Sequence, residues 1–353
     1  MTKVPIRPTI DALPAYVPGG KPPAGKVAFK LSSNELPYPP LPGVLAAVAD
    51  AAADLHRYPS MMADELVAAI AAFHGVDPSQ VTVGAGSVGV LGHILATVAG
   101  DGTEVAFPWR SFEAYPILAG IAGAAAVTTP LDADARLDLA ALAGAITERT
   151  RAVLVCTPNN PTGPAVHQAE FEAFMDQIPS DVLVVLDEAY VEFVTDPDAV
   201  QSAPLLDRYA NLVVLRTFSK AYGLAGLRVG YAIGKPRLMQ AVRSATTPFS
   251  VSGPAQLAAI VSLTLQAELR ERVAGVIENR QYMLDELRRQ GWQVPDAQGN
   301  FVWLALGADA APFAQACSNA RVIVRPFAGD GVRVSVGEKA GVDRFLEVAA
   351  TWA

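Results

Sequence analysis

Short, mostly apolar runs recur along the first two thirds of the chain, at Val81–Val83, Glu104–Phe107, Ala152–Cys156, Val182–Leu186, Asn211–Leu215 and Val229–Ile233. Longer segments separate them, and helical periodicity is plain in two of these, Met62–His74 and Gln168–Gln177. Strands spaced this way by helices predict an α/β unit whose mostly parallel sheet is covered on both faces. After Ser250 the character changes. Pro254–Gln290 reads as one long amphipathic helix, followed by strand patterns at Phe301–Leu306, Ala320–Val324 and Val332–Val336 and a last helix near Val342–Thr351. The organisation expected is an N-terminal arm rich in Pro and Gly (1–30) lying over a neighbour, a large domain (31–250) and a smaller α+β domain (251–353).

Composition narrows the function classes. The 353 residues are 51% hydrophobic and 18% charged, enough apolar material for two cores. A net charge of −8, with basic residues scattered, disfavours nucleic acid. The opening residues are broken by prolines and lack the apolar stretch of a signal peptide, and no apolar run is long enough to span a bilayer. Two cysteines, Cys156 and Cys317, suggest no disulfide framework, so a reduced cytoplasmic setting is expected. Cys156 reads as core packing. His56, His74, His93 and His167 form no metal-ligand spacing.

Three apolar runs are each followed by residues that can do chemistry. P-N-N-P-T-G (158–163) follows Ala152–Cys156, D-E-A-Y (187–190) follows Val182–Leu186, and T-F-S-K-A-Y-G-L-A-G-L-R (217–228) follows Asn211–Leu215. In an open parallel sheet, side chains just past the carboxyl ends of strands line the ligand crevice. Singly, Lys220 is an ordinary turn lysine, Asn160 a cap, Asp187 a helix starter and Tyr190 a packed ring. In this order they converge on one edge. A partly desolvated lysine amine forms a Schiff base with a carbonyl cofactor, chiefly pyridoxal 5'-phosphate. The ring nitrogen of that cofactor needs a fixed anion, for which Asp187 is the candidate. At about 3 Å and an effective dielectric near 20 such a pair is worth on the order of 5 kcal/mol. Asn160 and Tyr190 can donate to the ring oxygen. Arg228 offers a bidentate fork and Ser219 a hydroxyl to the phosphate. V-G-A-G-S-V-G-V (83–90) adds glycine-exposed amides at a helix start, which favour an anion. It lacks the full dinucleotide fingerprint, which argues against a nicotinamide.

Together these motifs resemble those of the fold-type I pyridoxal-phosphate aminotransferases. The chain is closest to the histidinol-phosphate aminotransferase branch and, within it, the actinobacterial aromatic amino acid (phenylalanine) aminotransferases. The similarity extends to S-S-N-E-L-P-Y-P-P, H-R-Y-P at 56–59, W-R-S-F-E-A-Y at 109–115 and V-I-V-R-P-F…G-V-R-V-S-V-G. The resemblance implies that Lys220 carries the cofactor, Asp187 meets its nitrogen, and Asn160 and Tyr190 meet its ring hydroxyl. It implies Ser219, Arg228 and the Gly86, Ser87 and Val88 amides at the phosphate. Tyr58 would reach the phosphate of a second subunit, making a homodimer with shared sites. Phe112 takes the stacking position and Arg333 the substrate α-carboxylate. Two departures stand out. Val88 and Gly89 replace an acidic pair common in relatives, and Phe112 replaces the commoner Tyr.

An aminotransferase binds two amino acids in one pocket, and Arg333 suits their shared α-carboxylate. Arg325 can serve the distal acid of glutamate or a substrate phosphate, and Asn34 joins them as a substrate-contact candidate. Phe327, Phe249 and Phe112 are candidates for an apolar slot. The expected activity is transamination of phenylalanine, tyrosine and tryptophan with 2-oxoglutarate, with histidinol phosphate as the alternative donor. A lyase or decarboxylase on the same cofactor, and a non-catalytic regulatory protein on the same fold, are the readings from other classes.

Overall fold

A computed structural model describes residues 4–13 and 28–352. A seven-stranded sheet lies at its centre. Strands β2 (Val81–Gly84), β3 (Glu104–Pro108), β4 (Ala125–Thr129), β5 (Thr150–Cys156), β6 (Leu183–Asp187), β7 (Leu212–Thr217) and β8 (Gly230–Ile233) run in the order β2-β8-β7-β6-β5-β3-β4. Only β8 runs against the rest, antiparallel to both β7 and β2. The expected runs are all strands, and their periodicity shows why they read as continuously apolar. Along β6, Val184 and Leu186 enter one core while Leu183 and Val185 enter another on the opposite face. Helices cover both faces, so no position in the strand meets water.

Two strands escape the apolar pattern. Edge strand β4 is largely exposed, so its Ala and Thr residues need no core signal. β11 (Arg325–Phe327) is built around Pro326, which is tolerated because the strand lies at the edge of its sheet. That sheet, β11-β12-β9, pairs β11 with β12 (Gly331–Ser335) and β12 with β9 (Phe301–Leu304), all antiparallel. The segment at 28–30 belongs with this part of the molecule: β1 (Phe29–Lys30) pairs in parallel with β10 (Val322–Ile323).

The single helix expected over Pro254–Gln290 is two, Gly253–Thr264 and Gln266–Arg289, broken at Leu265 (φ −103°, ψ 44°). The first packs on helices Pro42–Ala51 and Asp64–His74 through the small side chains of Ala255, Ala258 and Ala259, and the second packs on helix Lys339–Ala349. No straight helix serves both surfaces. Helix Asp64–His74 starts two residues later than its periodicity suggests, because Ala63 is left-handed (φ 55°) and Ser60 Oγ accepts from Asp64 N–H at 3.1 Å. The described part of the arm, 4–13, lies on helix Ala114–Ala122 of its own chain, where Arg7 donates to the Ile121 carbonyl at 2.7 Å. The rest of the expected arm, residues 1–3 and 14–27, lies outside the described residues. Among the described residues no helix is long and apolar enough to cross a membrane.

Arg280, 3% exposed, ties the long helix to the segment just beyond Tyr190. Its Nη1 donates to the carbonyls of Phe193 (2.8 Å) and Gly299 (3.0 Å), and its Nη2 to Thr195 Oγ1 (3.1 Å). Burial lowers its pKa to about 10, which leaves the guanidinium charged at neutral pH. Arg280→Met strands those acceptors and should cost about 2–4 kcal/mol of unfolding free energy in urea denaturation. A loss below about 0.5 kcal/mol would show that the acceptors find other donors.

Candidate active site

The carboxyl ends of β5, β6 and β7 open onto one cavity of about 270 Å³. Asn160, Asp187, Tyr190, Ser219, Lys220 and Arg228 all line it, together with Ser87, Val88 and Phe112 from the neighbouring β2 and β3 connections. Arg325, Phe327 and Arg333 close it from the C-terminal sheet. The structure therefore brings together nearly every residue picked from the sequence.

Asp187 ends β6 and is 4% exposed. Its hydrogen-bond partners are neutral: the Tyr115 hydroxyl donates to Oδ2 at 2.8 Å and the Ala189 N–H to Oδ1 at 3.3 Å. Burial outweighs these bonds and lifts the carboxyl pKa to about 6. Lys220 Nζ donates to the Ser33 carbonyl at 3.3 Å and lies 5.7 Å from the centre of the Tyr190 ring. Burial, with the nearby Arg333 charge second, lowers its pKa to about 7. An amine so placed is substantially neutral, and hence nucleophilic, near neutrality.

Tyr190 is buried and held as the phenol, because desolvation raises its pKa. Its oxygen accepts from Asn34 Nδ2 at 3.0 Å, and its ring meets Phe301 edge-on. Asn160 Oδ1 accepts from Arg333 Nη1 at 2.6 Å. A guanidinium only donates, so the amide oxygen must face Arg333 and the Asn160 NH₂ is directed elsewhere.

The other end of the cavity is an anion cradle. Helix Gly86–Val98 starts there with no side-chain cap on its first amides. Gly86 has φ +74°, a conformation that favours glycine, and a Cβ at this position would push the Arg228 guanidinium aside. Arg228, itself left-handed (φ 55°), donates through Nη1 to Ser219 Oγ at 3.2 Å and to the Ala225 carbonyl at 3.1 Å. Both partners are neutral. Its charge remains available to an anion.

Two expectations change. Asn34, expected to touch substrate, is fully buried and does not line the cavity. Its side chain bridges the Tyr190 hydroxyl and Ser335 Oγ (2.9 Å), so it positions Tyr190. Tyr58, expected at the phosphate of a second subunit, is 86% exposed, stays outside this chain's own cavity and leans on Phe249 at 4.9 Å. Phe249 therefore belongs to that exterior pair rather than to the apolar slot. Sequence reasoning passed over Tyr115, Ser32, Ser33 and Glu113. Tyr115 was visible only as the last letter of W-R-S-F-E-A-Y; its role depends on a contact to Asp187 across 72 positions of sequence. Cys156 lines the cavity, but burial pushes its thiol up to about 12, in keeping with a packing role.

The fold and the donor set define a class, and comparison agrees: the chain belongs to the aminotransferase class I and II family, whose model matches residues 26–348. Among curated relatives, an aromatic amino acid aminotransferase of Thermobifida fusca is 52% identical over 98% of this chain and 97% of its own. One of Streptomyces avermitilis is 51% identical over 97% and 96%. Among solved structures, histidinol-phosphate aminotransferase from Sinorhizobium meliloti, in complex with pyridoxal-5'-phosphate, superimposes with a TM-score of 0.87 at 29% identity, covering 99% of this chain and 98% of that one.

The residues fit the cofactor this family implies. A buried carboxylate whose hydrogen-bond donors are neutral suits a ring cation, an amine of lowered pKa suits an aldehyde, and an arginine against Gly86 beside uncapped amides suits a phosphate. In the cofactor-free protein, labelling of Lys220 by a dilute amine reagent should follow the neutral amine, rising to a midpoint near pH 7 and levelling above it. Below that midpoint the rate should fall about tenfold per pH unit. A midpoint at the ordinary lysine value of 10.5 would show an amine fully hydrated.

Proposed function

We propose that this chain transfers the amino group of aromatic L-amino acids (phenylalanine, tyrosine, tryptophan) to 2-oxoglutarate, using pyridoxal 5'-phosphate held by Lys220. The observation that carries the reading is one cavity in which the Lys220 amine, the Arg333 guanidinium and the Phe112 and Phe327 rings all face the same space. The names of the two half-identical relatives support it.

When bound, pyridoxal phosphate supplies an electron sink for negative charge developing at the substrate α-carbon. Asp187 holds the positive charge of the ring nitrogen. The Asn160 amide and Tyr190 phenol would donate to the ring oxygen, and the Phe112 ring would supply an apolar surface beside it. Ser219, Arg228 and the Ser87 and Val88 amides at the Gly86 turn hold the phosphate. Arg333 orients substrate through its α-carboxylate. Lys220 would accept the substrate α-proton as the neutral amine and, as the ammonium, would hand it on to the cofactor, a shuttle suited to an amine with a pKa near 7.

Steady-state kinetics with 2-oxoglutarate should give a kcat/KM for phenylalanine about tenfold or more above that for histidinol phosphate. A preference of about a hundredfold the other way would overturn the aromatic assignment.

The active species is proposed to be a homodimer, acting in the cytoplasm, where the two free buried cysteines would stay reduced. Leu55, Tyr58, Met61 and Phe249 are all large, apolar and exposed on the single chain, as an interface before assembly would be. Tyr58→Phe should weaken cofactor retention about tenfold, read by equilibrium dialysis, if its hydroxyl reaches the partner's phosphate. An isolated monomer with full activity would exclude that role.

A further inference from the structure

Arg325 and Arg333 lie directly opposite each other on the antiparallel pair β11 and β12, so their side chains leave the same face of the hairpin. Both guanidiniums pack against the Phe327 ring, at 5.4 and 5.8 Å, and both line the cavity. Two like charges placed so repel, and the structure answers them differently. Arg333 meets neutral oxygens, Asn160 Oδ1 and the Ser32 carbonyl (2.8 Å). Arg325, with its side chain 8% exposed, meets a full negative charge: Glu113 Oε2 accepts from its Nη2 at 2.8 Å. Glu113 comes from the opposite wall, at the start of helix Ala114–Ala122, where the helix dipole also favours a carboxylate.

We propose that Glu113 is a specificity-determining residue that acts as a built-in competitor for the distal anion of the substrate. With Glu113 in place, the end of the cavity beyond Arg333 presents a neutral ion pair over Phe327, which an uncharged aromatic side chain leaves intact. A substrate with a distal carboxylate, the 2-oxoglutarate acceptor included, or with a distal phosphate must displace Glu113 to reach Arg325. That displacement trades one anion for another and gains little. The inference rests on the proposed reading of this cavity as an amino-acid site.

Calorimetric titration of the holoenzyme with two non-reacting acids tests it. Glutarate carries a distal carboxylate, and 3-phenylpropanoate carries a phenyl ring instead. Glu113→Gln should tighten glutarate relative to 3-phenylpropanoate by about tenfold, and Glu113→Gln combined with Arg325→Met should abolish that gain. Glu113→Ala, which vacates the position altogether, should shift the ratio the same way. A shift below about threefold in both single variants, or a shift that persists without Arg325, would overturn the proposal. The titration does not depend on which donor is turned over. Failure of the aromatic assignment would appear separately, as histidinol phosphate outrunning phenylalanine in steady-state turnover.

Discussion

Desolvation of two charged groups at the ends of adjacent strands is the constraint on which the site depends. Taking Asp187 and Lys220 out of water pushes both toward neutrality, the carboxyl up to about 6 and the amine down to about 7. For Asp187 that amounts to about 3 kcal/mol against the ionised form. A ring cation about 3 Å away is worth about 5 kcal/mol at an effective dielectric of 20, but only about 1 kcal/mol in bulk water. The attraction exceeds the penalty only because the same burial that raises the cost also removes the water that would screen the pair. An exposed aspartate would ionise freely and hold a ring proton poorly.

The hydrogen bonds around Asp187 follow from this balance. Tyr115 is fully buried and desolvated, so it remains a phenol and can only serve Asp187 as a donor without adding charge. A lysine or arginine in its place would neutralise the carboxylate and remove its pull on a cofactor. Uncharged hydrogen-bond partners let Asp187 keep an unspent negative charge, just as Ser219 and the Ala225 carbonyl let Arg228 keep an unspent positive one. The site is electrostatically incomplete at both ends, with opposite signs.

Much of this was legible in the sequence, for a physical reason. Asn160, Asp187 and Lys220 each follow a strand buried on both faces, and such strands announce themselves as short uninterrupted apolar runs. A residue just past the end of such a run is thereby placed at the sheet's carboxyl edge. Arg333, within β12, was picked from the resemblance of its motif to the family's, with its strand context in support. What the sequence hid were contacts that link distant segments. Asn34 reads as a polar residue near the start of the chain, yet it is drawn inside by Ser335, 301 positions away, and turned toward Tyr190. Strand β4 was hidden because an edge strand need not be apolar, and the break at Leu265 because both helices flanking it keep their periodicity.

The hairpin of β11 and β12 also reaches across the cavity to the connection after β5. Arg333 Nη1 is engaged by Asn160 Oδ1 at 2.6 Å, and that bond determines which way the Asn160 amide faces. On the proposed reading, a substrate carboxylate at Arg333 would compete with the Asn160 amide for the guanidinium, with a full charge against a dipole. Hydrogen bonds to charged acceptors are about twice as strong as neutral ones, so the Asn160 anchor would weaken as substrate bound. Substrate recognition and the proposed contact of Asn160 with the cofactor would then meet at a single amide, which neither β5 nor β12 could position alone.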